Sequence, residues 1–142
     1  MSRRIIGIRF VLAITAAIGA YLSIVHWSSL PVACPAHGMI DCTAVLHGAG
    51  SMVGPLPLAT WGVVWAMVGW FSLRRPSPRL IPLWSAIGIN GIFWGILHEV
   101  LDGHLCLWCT AMQLNILGAV VLMLLHVSMT HRAHHMTSRT HP

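Results

Sequence analysis

Four long apolar runs, separated by polar breaks, make up most of the chain. A helix of about twenty residues spans roughly 30 Å, the thickness of a bilayer core. The runs therefore predict membrane-crossing helices over about 5–27, 56–73, 80–101 and 105–129. In the first, Arg9 sits near the inner end, where a long side chain can snorkel. The break over 28–55 holds Pro31, Pro35, several glycines, Cys34 and Cys42. Within it, residues 43–47 predict a short segment lying along the membrane surface. The break Arg74-Arg75-Pro76-Ser77-Pro78-Arg79 predicts a tight turn, and Asp102-Gly103-His104 the next one. Residues 130–142 are polar and histidine-rich without periodicity, which predicts a disordered tail. A cleaved leader is the rival for the first run, and Leu30-Pro31-Val32-Ala33-Cys34 loosely resembles a lipidation site. The run is too long for a leader, and Pro31 falls where such sites want an aliphatic residue, so a retained helix is expected.

Composition supports the membrane reading. Of 142 residues, 56% are hydrophobic and 8% charged, with a mean hydropathy of +0.76; soluble domains carry about 25% charged residues. The formal net charge of +5 could suggest nucleic acid. However, the eight basic residues are all arginines at predicted helix ends, Arg3, Arg4 and Arg9, then Arg74, Arg75 and Arg79, then Arg132 and Arg139. With four spans all of them fall on one side, which the positive-inside rule makes cytoplasmic. The acids Asp41, Glu99 and Asp102 fall on the other side, with all four cysteines. The fold class expected is thus an all-α integral-membrane four-helix bundle. Both termini are cytoplasmic, and an extracytoplasmic loop between helices 1 and 2 carries a cysteine pair. Residues 1–129 form its one domain. Trp27, Trp70, Trp84 and Trp108 suit an interfacial belt, whereas Trp61, Trp65 and Trp94 read as packing.

The two cysteine pairs lie in different solvents. Cys34 and Cys42 are in an aqueous loop, open to another protein. Cys106 and Cys109 open the last helix, where i and i+3 share a face and the helix dipole favours thiolate. Cys109 lies about one turn, ~5 Å, deeper than Cys106, within reach of a lipid-soluble oxidant such as quinone. Thiolates pass electrons between dithiols through mixed disulfides, so the arrangement reads as a relay from aqueous thiols to the loop pair, the helix pair and quinone. As staples the pairs would do little, since closing the Cys34–Cys42 loop is worth only about 2.5 kcal/mol on the loop-entropy model. His37, His47, His98 and His104 raise the alternative of a non-catalytic four-helix metal-binding protein. These four histidines and the cysteines offer neither a second Cys-x-x-Cys nor a His-x-x-x-His, and no metal ligand set is expected near them.

The segment Cys34-Pro35-Ala36-His37-Gly38-Met39-Ile40-Asp41-Cys42-Thr43-Ala44-Val45, followed by Ser51, Gly54, Pro57 and Gly62, resembles the loop and second helix of the vitamin K epoxide reductase family. His104-Leu105-Cys106-Leu107-Trp108-Cys109-Thr110 resembles its active-site motif. The likeness runs over about 5–129. The DsbB family also joins thiols to quinone on four helices but carries its Cys-x-x-Cys near the second, so the order here favours the former. The resemblance implies that Cys109 faces quinone and Cys106 exchanges with the loop. It also implies that Cys42 attacks Cys106, and that Cys34 exchanges with a thiol partner.

In bacterial members that partner is an extracytoplasmic thioredoxin-fold oxidase that makes disulfides in exported proteins; here it is expected in trans, with the chain in the bacterial cytoplasmic membrane. The quinone could be menaquinone, ubiquinone or phylloquinone, and reduction of a quinone epoxide by the same cysteines is the alternative activity. The chain departs from the family at His47 and Gly48, which stand where a serine or threonine is frequent. Leu58 stands where some members place a quinone-bonding asparagine, and Gln113 where vertebrate members have a tyrosine. Leu58, Trp108, Gln113 and Asn115 are the expected quinone contacts, and His104 and Glu99 the expected proton carriers. Asn90 is expected to bond between helices, and Gly88, Gly91 and Gly95 to form a close-packing face.

Overall fold

A computed structural model describes residues 3–28, 30–34, 37–74, 77 and 79–137. Four long helices dominate it: α1 (Arg3–Ser28), α3 (Leu58–Ser72), α4 (Leu80–Asp102) and α5 (Leu107–Thr137). Between the first two lie the short α2 (Cys42–His47), a 3-10 turn (Ala49–Ser51) and an antiparallel pair, β1 (Met52–Val53) with β2 (Leu56–Pro57). By length and composition α1, α4 and the Leu107–Met129 part of α5 can cross a membrane. The helix α3 is shorter, 15 residues, or about 22 Å at the helical rise.

The differences from the predicted elements have local causes. The second apolar run was expected to be helical from 56, but Leu56 precedes Pro57, and a residue before proline is pushed into extended conformation. Leu56 and Pro57 instead pair with Val53 and Met52. Gly54, at φ +64°, and then Pro55 form the turn, with glycine at the first central position as a type II′ hairpin turn demands. The fold is therefore helical apart from this small hairpin. The last helix starts at Leu107 rather than 105, because the backbone of Leu105 is occupied by the loop before α2. At its far end α5 continues to Thr137 instead of stopping at 129, since no proline or glycine interrupts residues 130–137; residues 138–142 of the expected tail lie outside the described residues. Of the proline turn, Arg75, Pro76 and Pro78 lie outside them as well. The short segment predicted at 43–47 is α2, capped by Asp41, whose carboxylate accepts from the backbone N–H of Thr43 and Ala44 at 3.0 Å each. The glycine Gly103 ends α4 at φ +69°, the usual left-handed stop.

The helices are apolar on their outer faces as well as in the core, which is mostly Ile, Leu, Val, Met and Trp with a few polar groups such as Thr15 and Ser85. Phe93 is 68% exposed and Thr15 fully buried; large apolar side chains left on the outside suit a lipid surrounding. Helix α1 packs against α3 and α5, and α4 against the same two. Across α1 and α3, Ser23 and Thr60 hydroxyls meet at 2.9 Å. Asn90, expected to bond across helices, is exposed and turns toward Ala86 O of its own helix.

The α3–α4 contact is a reciprocal lock. Trp65 and Trp84 stack with centroids 4.1 Å apart, and each indole N–H donates to the other residue's carbonyl, at 2.8 and 2.9 Å. A Cβ on Gly69 would sit 2.6 Å from the Trp84 ring, and one on Gly88 2.7 Å from the Trp65 ring. The glycines thus open the two seats. Trp65→Ala is expected to lose about 3–5 kcal/mol of stability, read as the unfolding midpoint in detergent micelles. A loss under about 1 kcal/mol would deny the lock its role.

Charge is segregated along the bundle. At one end the Arg4 guanidinium donates to Met129 Sδ, and Arg9 lies 5.4 Å from the Trp70 ring centroid. At the other end lie Asp41, Glu99, Asp102 and the four cysteines.

Candidate functional site

The loop after α1 is tied down on both sides of its cysteine pair. Ahead of Cys34, Ala33 donates its N–H to the Tyr21 hydroxyl at 3.0 Å and accepts from the Trp108 indole at 2.8 Å. The two clamping rings themselves meet at 5.2 Å. Ahead of Cys42, a parallel bridge joins Ile40 to Leu105. Its bonds are Leu105 N–H to Met39 O at 2.7 Å and Asp41 N–H to Leu105 O at 3.1 Å. His26 Nδ1, 2.9 Å from Leu46 O, holds the far end of α2 to α1. The strand register therefore runs the Cys42 segment alongside the Cys106 segment.

Cys34 and Cys42 form a disulfide, while Cys106 and Cys109 are free thiols. Cys34 is half-buried and Cys42 buried, so an incoming thiol has its easier approach at Cys34. Cys106 is the N-cap of α5: the Cys109 N–H donates to its sulfur at 3.2 Å, and Thr110 bonds its carbonyl through both N–H and hydroxyl. A sulfur thus does what an Asp or Ser oxygen does at other helix starts. The Cys109 thiol donating to the Cys106 sulfur has the largest influence on its ionisation. Backbone N–H groups of Cys109 and Trp108 add to it, and together they hold the Cys106 thiol below its ordinary value against the opposing effect of burial. Reduced Cys106 therefore becomes thiolate at a lower pH than an ordinary cysteine. In Cys109→Ala the principal donor is gone, and the thiolate ultraviolet absorbance of Cys106 is expected to develop at higher pH. A titration unmoved by the substitution would contradict this.

On its other side Cys109 lines a cavity of about 310 Å³ between α1, α3, α4 and α5, within the size range of small-molecule pockets. Its walls are chiefly apolar, and Glu99, His98, Gln113 and Ser51 are among the few polar groups. Glycines keep it open: a Cβ on Gly62 would lie 1.8 Å from Met112 Cε, and one on Gly95 2.8 Å from Gln113 Nε2. Of the residues expected at quinone, Cys109, Gln113 and Leu58 line the cavity. Trp108 and Asn115 lie elsewhere: Trp108 clamps Ala33, and Asn115 turns its amide to Ala111 O at 2.8 Å. Of the two expected proton carriers, Glu99 lines the cavity and His104 does not. Gly88, Gly91 and Gly95 line the cavity wall.

Sequence reading passed over Tyr21 and Met112, which carry no motif. It also read Trp65 as ordinary packing, although the repeated Trp-x-x-x-Gly of Trp65/Gly69 and Trp84/Gly88 was a usable signal. Among the described residues no group of three or more His, Cys, Asp or Glu side chains gathers for a metal.

A disulfide-bearing loop bridged to the start of the helix that carries a second, reduced dithiol, with Cys109 at the wall of an apolar cavity, in a multi-pass membrane protein, has the parts of a membrane oxidoreductase. The Vitamin K epoxide reductase family model matches residues 7–124, and the chain belongs to that family. No curated protein matches it at a significant level. Family members are membrane thiol–quinone oxidoreductases, with quinone as the general electron acceptor and thioredoxin-like proteins as general partners.

Proposed function

We propose that this chain reoxidises an extracytoplasmic thioredoxin-fold thiol protein and delivers the electrons to quinone, supporting disulfide formation in exported proteins. The observation that carries the reading is the placing of three sulfur environments in sequence. Cys34 is half-buried and the more accessible loop sulfur, Cys42 and Cys106 are buried in neighbouring segments, and Cys109 is in the cavity wall. In this account the partner's thiolate attacks Cys34, and Cys42 leaves as thiolate. Cys42 then attacks Cys106 of an oxidised Cys106–Cys109 pair, leaving Cys109 reduced. The partner's second thiolate attacks its mixed disulfide with Cys34, releasing the oxidised partner and the Cys34 thiolate. Attack of Cys34 on the Cys42 sulfur of the Cys42–Cys106 bond then restores the loop disulfide and frees Cys106 as thiolate, which returns the arrangement described above.

The apolar cavity suits a quinone ring: Cys109 stands at its wall, and the Gln113 amide can donate to a carbonyl oxygen. A bound quinone accepts two electrons and two protons as the Cys106–Cys109 disulfide closes. Four spans are proposed, with α3 completing its crossing through the flanking hairpin and Leu73. Sidedness follows the charge segregation, with arginines cytoplasmic and cysteines extracytoplasmic.

The test is reconstitution. The purified protein in proteoliposomes is given a reduced thioredoxin-fold oxidase and a quinone. Stoichiometric loss of partner thiols and of oxidised quinone is expected. Partner oxidation without quinone reduction, or neither, would overturn the assignment.

A further inference from the structure

Glu99 is the sole glutamate of the chain and stands one turn from the end of α4. It is 5% exposed, lines the same cavity as Cys109, and its Oε1 has no hydrogen-bond partner. No cation is paired with it among the described residues. An ionised carboxylate left unpaired in such a place costs far more than the neutral acid, and retaining a carboxyl there calls for a use. The neighbouring residue, His98, is half-buried, lines the cavity as well, and occupies the space beneath Gly50 of the 3-10 turn, where a Cβ would meet its ring. It stands between the aqueous loop and the pocket. His104, in contrast, buries an unpartnered Nδ1 away from the cavity.

We propose that Glu99 is a catalytic proton donor to the quinone oxygen, recharged from water past His98. This inference rests on the thiol–quinone reading above and extends it. In the reacting state Cys106 is the thiolate freed when Cys34 attacks the Cys42–Cys106 bond, while Cys109, freed earlier as thiolate, has taken up a proton. As the Cys106–Cys109 bond forms, two electrons leave the sulfurs. The Cys109 proton and the Glu99 proton are the two that complete reduction. Glu99 is left as carboxylate, and one proton entering past His98 restores it. Sulfur gains one bond and loses one proton in the step, and the net charge is the same on both sides.

The test has a readout independent of turnover. Because the chain has one glutamate, heavy-carbon labelling of the glutamate carboxyl identifies its infrared band in the wild-type protein. A neutral-acid carbonyl band at neutral pH, shifted by the label and by heavy water, is expected. An assigned band in the carboxylate region would overturn the proposal. Kinetically, Glu99→Gln keeps the shape and loses the proton. Its kcat with quinone is expected to fall about 10²-fold or more while its quinone KM moves by less than about threefold. Glu99→Asp, which keeps a carboxyl, is expected to recover part of that loss. Wild-type kcat in Glu99→Gln would overturn the proposal. Failure of the wild-type protein to reduce quinone would instead strike the underlying functional reading, and the labelled band would still report on Glu99.

Discussion

Cys109→Ala is expected to abolish quinone reduction, with a loss on the order of 10³-fold or more, as when the reacting group of a site is removed. The argument is geometric. Cys109 is the cysteine in the cavity wall, whereas Cys106 is fully buried and committed to capping α5. Two electrons leave the protein only if a sulfur–sulfur bond closes, and without Cys109 the Cys106 thiolate has no partner within its own motif. The measurement is the absorbance change of quinone under a reduced dithiol donor. Near-wild-type reduction by the variant would mean that another sulfur reaches the pocket.

The second large effect belongs to Cys42→Ser. Electrons from the partner reach the helix pair only through a thiolate attack on Cys106, and the Ile40–Leu105 bridge gives that place to Cys42. Cys34 is assigned the other exchange, with the partner, because it is the more exposed of the two loop cysteines. Partner-driven turnover is expected to drop on the order of 10³-fold. Quinone reduction in a single turnover, starting from a chemically reduced Cys106–Cys109 pair, is expected to persist. If partner-driven turnover survived, the transfer would pass directly to the helix pair.

Much of this was legible from sequence, because membrane solvation leaves large signals. Apolar runs marked the long helices, arginine placement marked one end, and Cys-x-x-Cys marked the start of the last helix. Residues whose role depends on a partner distant in the chain were not legible. Trp108 sits inside the motif and reads as a quinone contact, yet a carbonyl 75 residues earlier holds its N–H. Asn115 is polar in an apolar run, but its amide finds a carbonyl one turn back in its own helix. Leu56 reads as helix by hydropathy, and the proline after it decides otherwise. The cavity itself is set by glycines on α3 and α4, whose meaning depends on what packs above them.

The central claim is that electrons pass from Cys42 to Cys106. It is tested most directly by trapping in the Cys109→Ala background, where the thiol that would resolve Cys106 is missing. Non-reducing peptide mapping of the protein isolated from cells is expected to show a Cys42–Cys106 disulfide. Cys106 free and Cys34–Cys42 intact in every molecule, with no mixed disulfide to a thioredoxin-fold protein, would contradict the relay.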